Sequence, residues 1–122
     1  MELRKKTGDL GEALARDYLV KNRYEIIEKN FRLGHLEIDI IARDNNRKEL
    51  VFVEVKTRDS KFLDGVEEAL NSNQIKKIKR AMVVYSQEFE IDLEKMRLDF
   101  IFVKIDKISK KAQLQHLIDI LS

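Results

Sequence analysis

The sequence contains no cysteine, no proline and no tryptophan, and just two histidines. Without cysteine there are no disulfides, no thiolate zinc site and no thiol nucleophile; His35 and His116 alone are a poor basis for an imidazole cage. Any metal must therefore be held by oxygen. With no proline, four glycines and no low-complexity tract, nothing marks a linker in the 122 residues, and a single domain is expected. No apolar run approaches the roughly 20 residues of a membrane span, and the charged N-terminus is unlike a signal peptide, so no membrane association and a cytoplasmic location are expected. Nor does one sign of charge dominate. Lys and Arg number 24 against 22 Asp and Glu, a net charge of +2, too small to argue nucleic-acid binding without a local cluster. What is present is 43% hydrophobic and 38% charged residues, enough for a compact, highly charged domain with its own core.

The most informative stretch is LEIDIIARDNNRKELVFVEVKT, from Leu36 to Thr57. It reads as two strands joined by a polar loop. Side chains alternate along a strand, so Val51, Val53 and Val55 share one face and Leu50, Phe52, Glu54 and Lys56 the other. In the first strand Leu36, Ile38, Ile40 and Ala42 are expected on one face, with Glu37, Asp39 and Ile41 opposite. Closing the hairpin with Arg43 against Leu50 sets Ile41 against Phe52, Asp39 against Glu54 and Glu37 against Lys56. Acid then meets acid. Directly opposed Cβ atoms are about 5 Å apart and like charges there are destabilising, so the pair asks for a cation. The alternative is a solvated strand end, with Glu37 paired to Lys56 and the remaining acids in water.

Before the hairpin, Asp9 to Asn22 is expected to be helical from a start at Thr7 or Gly8, with Leu10, Ala13, Leu14 and Tyr18 inward. Gly8 and Gly11 would permit close approach of another backbone. Glu12, near the border of that face, reads by itself as a surface partner of Arg16 one turn later. YEIIEKNFR suggests a first strand. After the hairpin the pattern implies a loop, TRDSKFLDG, then a helix from about Val66 to Glu88 that can break near Asn71 to Asn73. Ile75, Ile78, Met82 and Tyr85 form its inward stripe. Lys76, Lys77, Lys79 and Arg80 make the densest basic cluster, with Arg58 and Lys61 in the preceding loop; together these read either as a solvated face or as phosphate contacts. MRLDFIFVKID is a further strand, and AQLQHLIDIL fits a short strand or a helix, with His116 a packing or surface residue. The order α-β-β-β-α-β gives an α/β domain with a mixed central sheet flanked by helices.

The ordered set GDLGE, YEII, NFR, EIDIIA and VFVEVKTR resembles the YraN-like family of small bacterial proteins, which are themselves similar to archaeal Holliday-junction resolvases of the PD-(D/E)XK nuclease superfamily. The resemblance spans most of the chain and implies a restriction-endonuclease-like (PD-(D/E)XK) core. It implies that Asp39 and Glu54 are metal-binding carboxylates, that the Val55 carbonyl joins them around Mg²⁺ or Mn²⁺, and that Lys56 is the catalytic lysine of E-x-K. Glu12 would correspond to the family's helical glutamate at the same site. Two positions depart from the family pattern: Leu36 stands where glycine is common, and Gln74 where a lysine is usual, a loss of charge for which Lys76 or Lys77 could compensate.

The implied activity is hydrolysis of DNA phosphodiesters, with branched or junction DNA as substrate by resemblance. A homodimer would present two equivalent sites to two strands. The competing readings are a non-catalytic nucleic-acid-binding module that retains the nuclease fold, and an interaction protein whose charged strand face meets solvent or a partner.

Overall fold

The structure, a computed structural model, describes residues 2–59 and 71–121, with side chains described from residue 7 onward. Helix α1 (Glu2–Lys21) leads into β1 (Tyr24–Leu33), β2 (Leu36–Asp44) and β3 (Glu49–Asp59); helix α2 (Ser72–Glu88) then precedes a short 3-10 turn (Leu93–Lys95), β4 (Met96–Asp106) and β5 (Lys111–Leu117). The five strands form one sheet in the order β1-β2-β3-β4-β5. Neighbours are antiparallel except β3 and β4, which run parallel. A parallel pair cannot be joined by a tight turn, and α2 lies within that connection. The mixed sheet, the meander of the first three strands and the element order all agree with the sequence reading. The ambiguous C-terminal segment is a strand, β5.

Each helix covers one face. Ala15 and Leu19 of α1 are fully buried against Ile40, Ala42, Val51, Val53, Ile101 and Val103, whereas Ile78, Met82 and Tyr85 of α2 pack with Ile41, Phe52 and Leu98. Helix α1 starts earlier than Thr7, because ELRKK is a run of good helix formers that needs no cap at Gly8. Its inward stripe also differs from expectation. Leu10 is 49% exposed while Leu19 is fully buried; burial of an aliphatic side chain is worth about 1.5–3 kcal/mol, so the Ala15–Leu19 stripe docks this helix. Gly11 is where α1 approaches the sheet: a Cβ there would lie 2.8 Å from Thr57 Cβ. Gly8 faces open space and serves no such contact.

Helix α2 begins where Asn71 caps it, its side chain accepting the amides of Asn73 and Gln74. The helix thus starts within the Asn71 to Asn73 stretch where the sequence allowed a break. The helical stretch predicted before it, together with Lys61, lies outside the described residues. Between β1 and β2, Gly34 takes φ 62° in a two-residue turn closed by Leu33 and Leu36, a conformation glycine adopts at no steric cost. Gly34 thus provides the turn two residues before Leu36.

Candidate functional site

The β2–β3 ladder has the expected register, Arg43 opposite Leu50 and Ile41 opposite Phe52, and it extends one pair further into the loop, to Asp44 and Glu49. At the other end it stops at Ile40 and Val53. Beyond that pair the strands part and side chains replace ladder bonds. Asp39 Oδ2 accepts the Val55 amide at 2.8 Å, and the Asp39 amide donates to Glu54 Oε1 at 3.5 Å. Each acid therefore satisfies a backbone amide of the other's strand that would otherwise be orphaned. The two carboxylates meet in the notch between the diverging strands.

The notch also breaks the alternation of β2. Ile40 and Ala42 pack towards α1 as expected, but Ile38 and Leu36 join the cluster under α2, so the predicted single apolar face switches sides at Asp39. The neighbouring strand is irregular at the same level. Asn30 falls between the Lys29–Ile40 and Phe31–Ile38 pairs and has φ 51°, a left-handed conformation that asparagine tolerates better than most residues. With its carboxamide nitrogen turned towards the acids, Asn30 donates to Glu37 Oε1 at 3.2 Å and to Glu12 Oε1 at 3.1 Å. Glu12 is thereby tied to the strands, with the Arg16 charge still near enough to lower its carboxyl. Asn30 was not singled out from the sequence, since a lone asparagine in a strand carries no signal.

Electrostatics link these acids. Burial raises the Glu54 carboxyl, the Asp39 charge raises it further, and together they push it up to about 8 despite the nearby Lys56. Burial also raises Asp39, more than its bond to the Val55 amide and the Lys56 charge lower it. Glu12 is raised by burial first and by Asp39 second. Glu54 and Glu12 are thus harder to ionise because Asp39 is there, and a bound cation would relieve them.

Gln74 Nε2 donates to Glu54 Oε2 at 2.9 Å, and Glu54, Lys56, Asn71 and Gln74 line one pocket with Ile75, Ile78 and Phe100. Among the described residues no three His, Cys, Asp or Glu side chains converge into a ready metal cage. The Asp39 and Glu54 carboxylates offer oxygen donors alone, the donor type that suits a hard ion that keeps several of its own waters, such as Mg²⁺ or Mn²⁺.

The remaining candidates are less concentrated. Glu37 pairs with Arg32 at 3.2 Å, not with Lys56, because the Glu37 end of β2 has left β3 and faces β1. Arg58 belongs to β3, opposite Lys104, and by alternation shares the face of Glu54 and Lys56; its Nη1 donates to the Thr57 carbonyl. Lys76, Lys77 and Arg80 are exposed on α2, and Lys77 and Arg80 line a groove that also contains Gln74.

A second polar assembly lies on the α1 face of the sheet. The buried Arg97 guanidinium contacts Asp99, Asp44, Glu49 and the Tyr24 hydroxyl at 2.7–2.9 Å. His116 bridges Asp99 Oδ2 at 2.7 Å and the Tyr18 hydroxyl at 2.9 Å. His116 is therefore a packing residue, as expected, within a hydrogen-bonded network. Arg97 and Asp99 at alternate positions beside the apolar run Phe100, Ile101, Phe102 and Val103 were the sequence signal for it.

The chain matches the profile of the "Uncharacterised protein family UPF0102" over residues 11–103. It is 43% identical over 96 residues to a UPF0102 protein of Bacteroides thetaiotaomicron, covering 79% of this chain and 77% of that protein. A UPF0102 protein of Alkaliphilus oremlandii is 36% identical over 115 residues, covering 94% and 97%, and one of Mycolicibacterium gilvum is 32% identical over 116 residues, covering 95% and 94%.

Proposed function

Because the chain belongs to the uncharacterised family UPF0102, its activity has to be read from its own site, and we propose a metal-dependent endonuclease with a PD-(D/E)XK core that hydrolyses DNA phosphodiesters, branched DNA included. The observation that carries this reading is the meeting of Asp39 and Glu54 where β2 and β3 part, with Lys56 two residues on along the same strand. Two mutually destabilising carboxylates beside a lysine and an opening to solvent are costly as structure alone. Their cost is offset if they hold a cation.

In this reading Asp39, Glu54 and the Val55 carbonyl would hold Mg²⁺ or Mn²⁺, with Glu12 acting through water. The ion would supply Lewis-acid stabilisation of phosphate charge and a more acidic water. The chain's own groups do the rest. Lys56 presents an ammonium to the phosphate and to the incoming oxygen, stabilising negative charge that grows in the transition state. The Val55 amide holds Asp39 in one orientation, and Gln74 does the same for Glu54. Asn30 holds Glu12 near Asp39, where burial and the Asp39 charge raise its carboxyl and favour its keeping a proton to give up.

One observation favours the alternative of a non-catalytic nucleic-acid-binding module: Gln74 occupies Glu54 Oε2 and adds no positive charge where the family has lysine. A carboxylate oxygen has a further lone pair, so that bond and a cation are compatible. Incubation of labelled linear duplex, single-stranded, flap and four-way-junction DNA with Mg²⁺, Mn²⁺ or chelator separates the two. Metal-dependent products that disappear in Glu54→Gln and in Lys56→Ala are expected. Binding without products in any metal would instead establish the binding module.

A further inference from the structure

A groove runs from the candidate site along α2 towards the β1–β2 turn. The hairpin side of the groove brings Leu33, His35 and Leu36, and the α2 side carries Lys77 and Arg80 with Ala81 and Val84 one turn on from them. Both cations are exposed, and among the described residues neither is in an ion pair. The acid in the groove, Glu37, is already engaged by Arg32 and Asn30. Asn71 and Gln74 line both this groove and the pocket that holds Glu54 and Lys56. The groove therefore adjoins the pocket that holds Glu54.

Position along the helix separates these cations from their neighbours. Ile75, Ile78, Met82 and Tyr85 face the core, whereas Gln74, Lys77, Arg80, Ala81 and Val84 face the groove. Lys76 and Lys79 lie outside its lining. Lys77 and Arg80 are three residues apart, so their Cβ atoms are about 5–6 Å from each other on one side of the helix. Two cations on the helix opposite Leu33 and Leu36 of the hairpin suit a ligand with one anionic edge and one flat, poorly hydrated edge. A duplex offers its outer surface as sugar and phosphate, with the base faces stacked inside. An unpaired strand offers phosphates on one side and free base faces on the other.

We propose that this groove binds an unpaired DNA strand and leads it to the acid notch, with Lys77 and Arg80 on its phosphates and Leu33 and Leu36 of the hairpin against its bases. The proposal rests on the nuclease reading for the choice of DNA and for the direction of the strand. It narrows the substrate class to DNA carrying a single-stranded arm beside the cleaved bond, and it separates Lys77 and Arg80 from the rest of the basic cluster.

Fluorescence anisotropy in chelator tests this without cleavage. The probes are a labelled 12-nucleotide DNA strand, its RNA counterpart and the same DNA as duplex. The proteins are the full chain, the Lys77→Ala/Arg80→Ala variant and the Lys76→Ala/Lys79→Ala variant, each checked for an unchanged circular dichroism spectrum. The wild type should prefer the DNA strand over duplex, and removal of Lys77 and Arg80 should weaken it at least 10-fold. The same change should flatten the dependence of log Kd on log salt by about 1.4, about 0.7 for each lost phosphate contact. Removal of Lys76 and Lys79 should change Kd less than 3-fold. Equal losses in the two variants, tighter binding of duplex, tighter binding of RNA, or no binding of the strand would each overturn the proposal. Because chelator excludes cleavage, a protein that cuts DNA yet fails here loses the groove and keeps the nuclease reading, and one that binds here yet never cuts does the reverse.

Discussion

Glu54 is 6% exposed, and burial together with the Asp39 charge pushes its carboxyl up to about 8. A carboxyl raised in the folded state binds more protons there than in the unfolded chain, so its contribution to stability is complete below about pH 4.5 and disappears as pH rises towards 8. Metal-free protein should therefore lose stability between those limits, and Glu54→Gln should abolish most of that loss, gaining on the order of a few kcal/mol at pH 8. Urea denaturation at pH 5 and pH 8 in chelator checks this; a wild type as stable at pH 8 as at pH 5 would contradict it. The variant should also lose divalent-ion binding, so stability and function oppose each other at this residue. Asp39 and Glu54 were legible in the sequence because alternation along two strands and one hairpin register bring acid to acid. Asn30 was not, since its role depends on a left-handed backbone that no neighbouring residue type announces.

At the level of elements, the site exists because β2 and β3 pair for five residues and then separate. The register was readable from matching apolar residues, but the separation was not: periodicity assumes a continuous ladder, and side-chain bonds from Asp39 and Glu54 end it. The same assumption misplaced Leu36 and Ile38 and gave Glu37 the wrong partner. Helix α1 carries Glu12, and its approach to β3 depends on Gly11 facing Thr57. A methyl at Gly11 would meet the Thr57 side chain and must push the helix outward. Gly11→Ala should cost about 1–3 kcal/mol, and pairing it with Thr57→Ala should recover part of that loss, since Oγ1 and Cγ2 are then removed. Thermal melts of the single and double variants decide it; a harmless Gly11→Ala would contradict the close approach.

The whole molecule places two polar systems in one sheet, the open acid notch and the closed Arg97 network. Burial alone would raise Asp99, but its bonds to His116 and Arg97 outweigh burial and hold it below the usual carboxylate range; Asp44 is lowered by Arg97 and by the Asn46 and Arg47 amides in the same way. Carboxyls depressed on folding contribute stability that is present above about pH 4 and lost as pH falls through their folded values. The two systems thus have opposite slopes, and metal-free protein should be most stable in mildly acidic solution. Removing Arg97 leaves buried acids without their counter-charge, so Arg97→Ala should cost about 3–5 kcal/mol in urea denaturation, a large part of a typical total of about 5–15 kcal/mol. A loss below about 1 kcal/mol would contradict a buried network.

The claim on which the rest depends is that the acid notch takes a divalent cation, and calorimetric titration of Mn²⁺ at pH 7 in two buffers of different ionisation enthalpy tests it directly. With Glu54 raised to about 8, binding should displace a proton from the acid cluster. The expected result is one ion per chain with close to one proton released, both lost in Glu54→Gln. Equal Mn²⁺ binding by wild type and Glu54→Gln, or no binding by either, would contradict it.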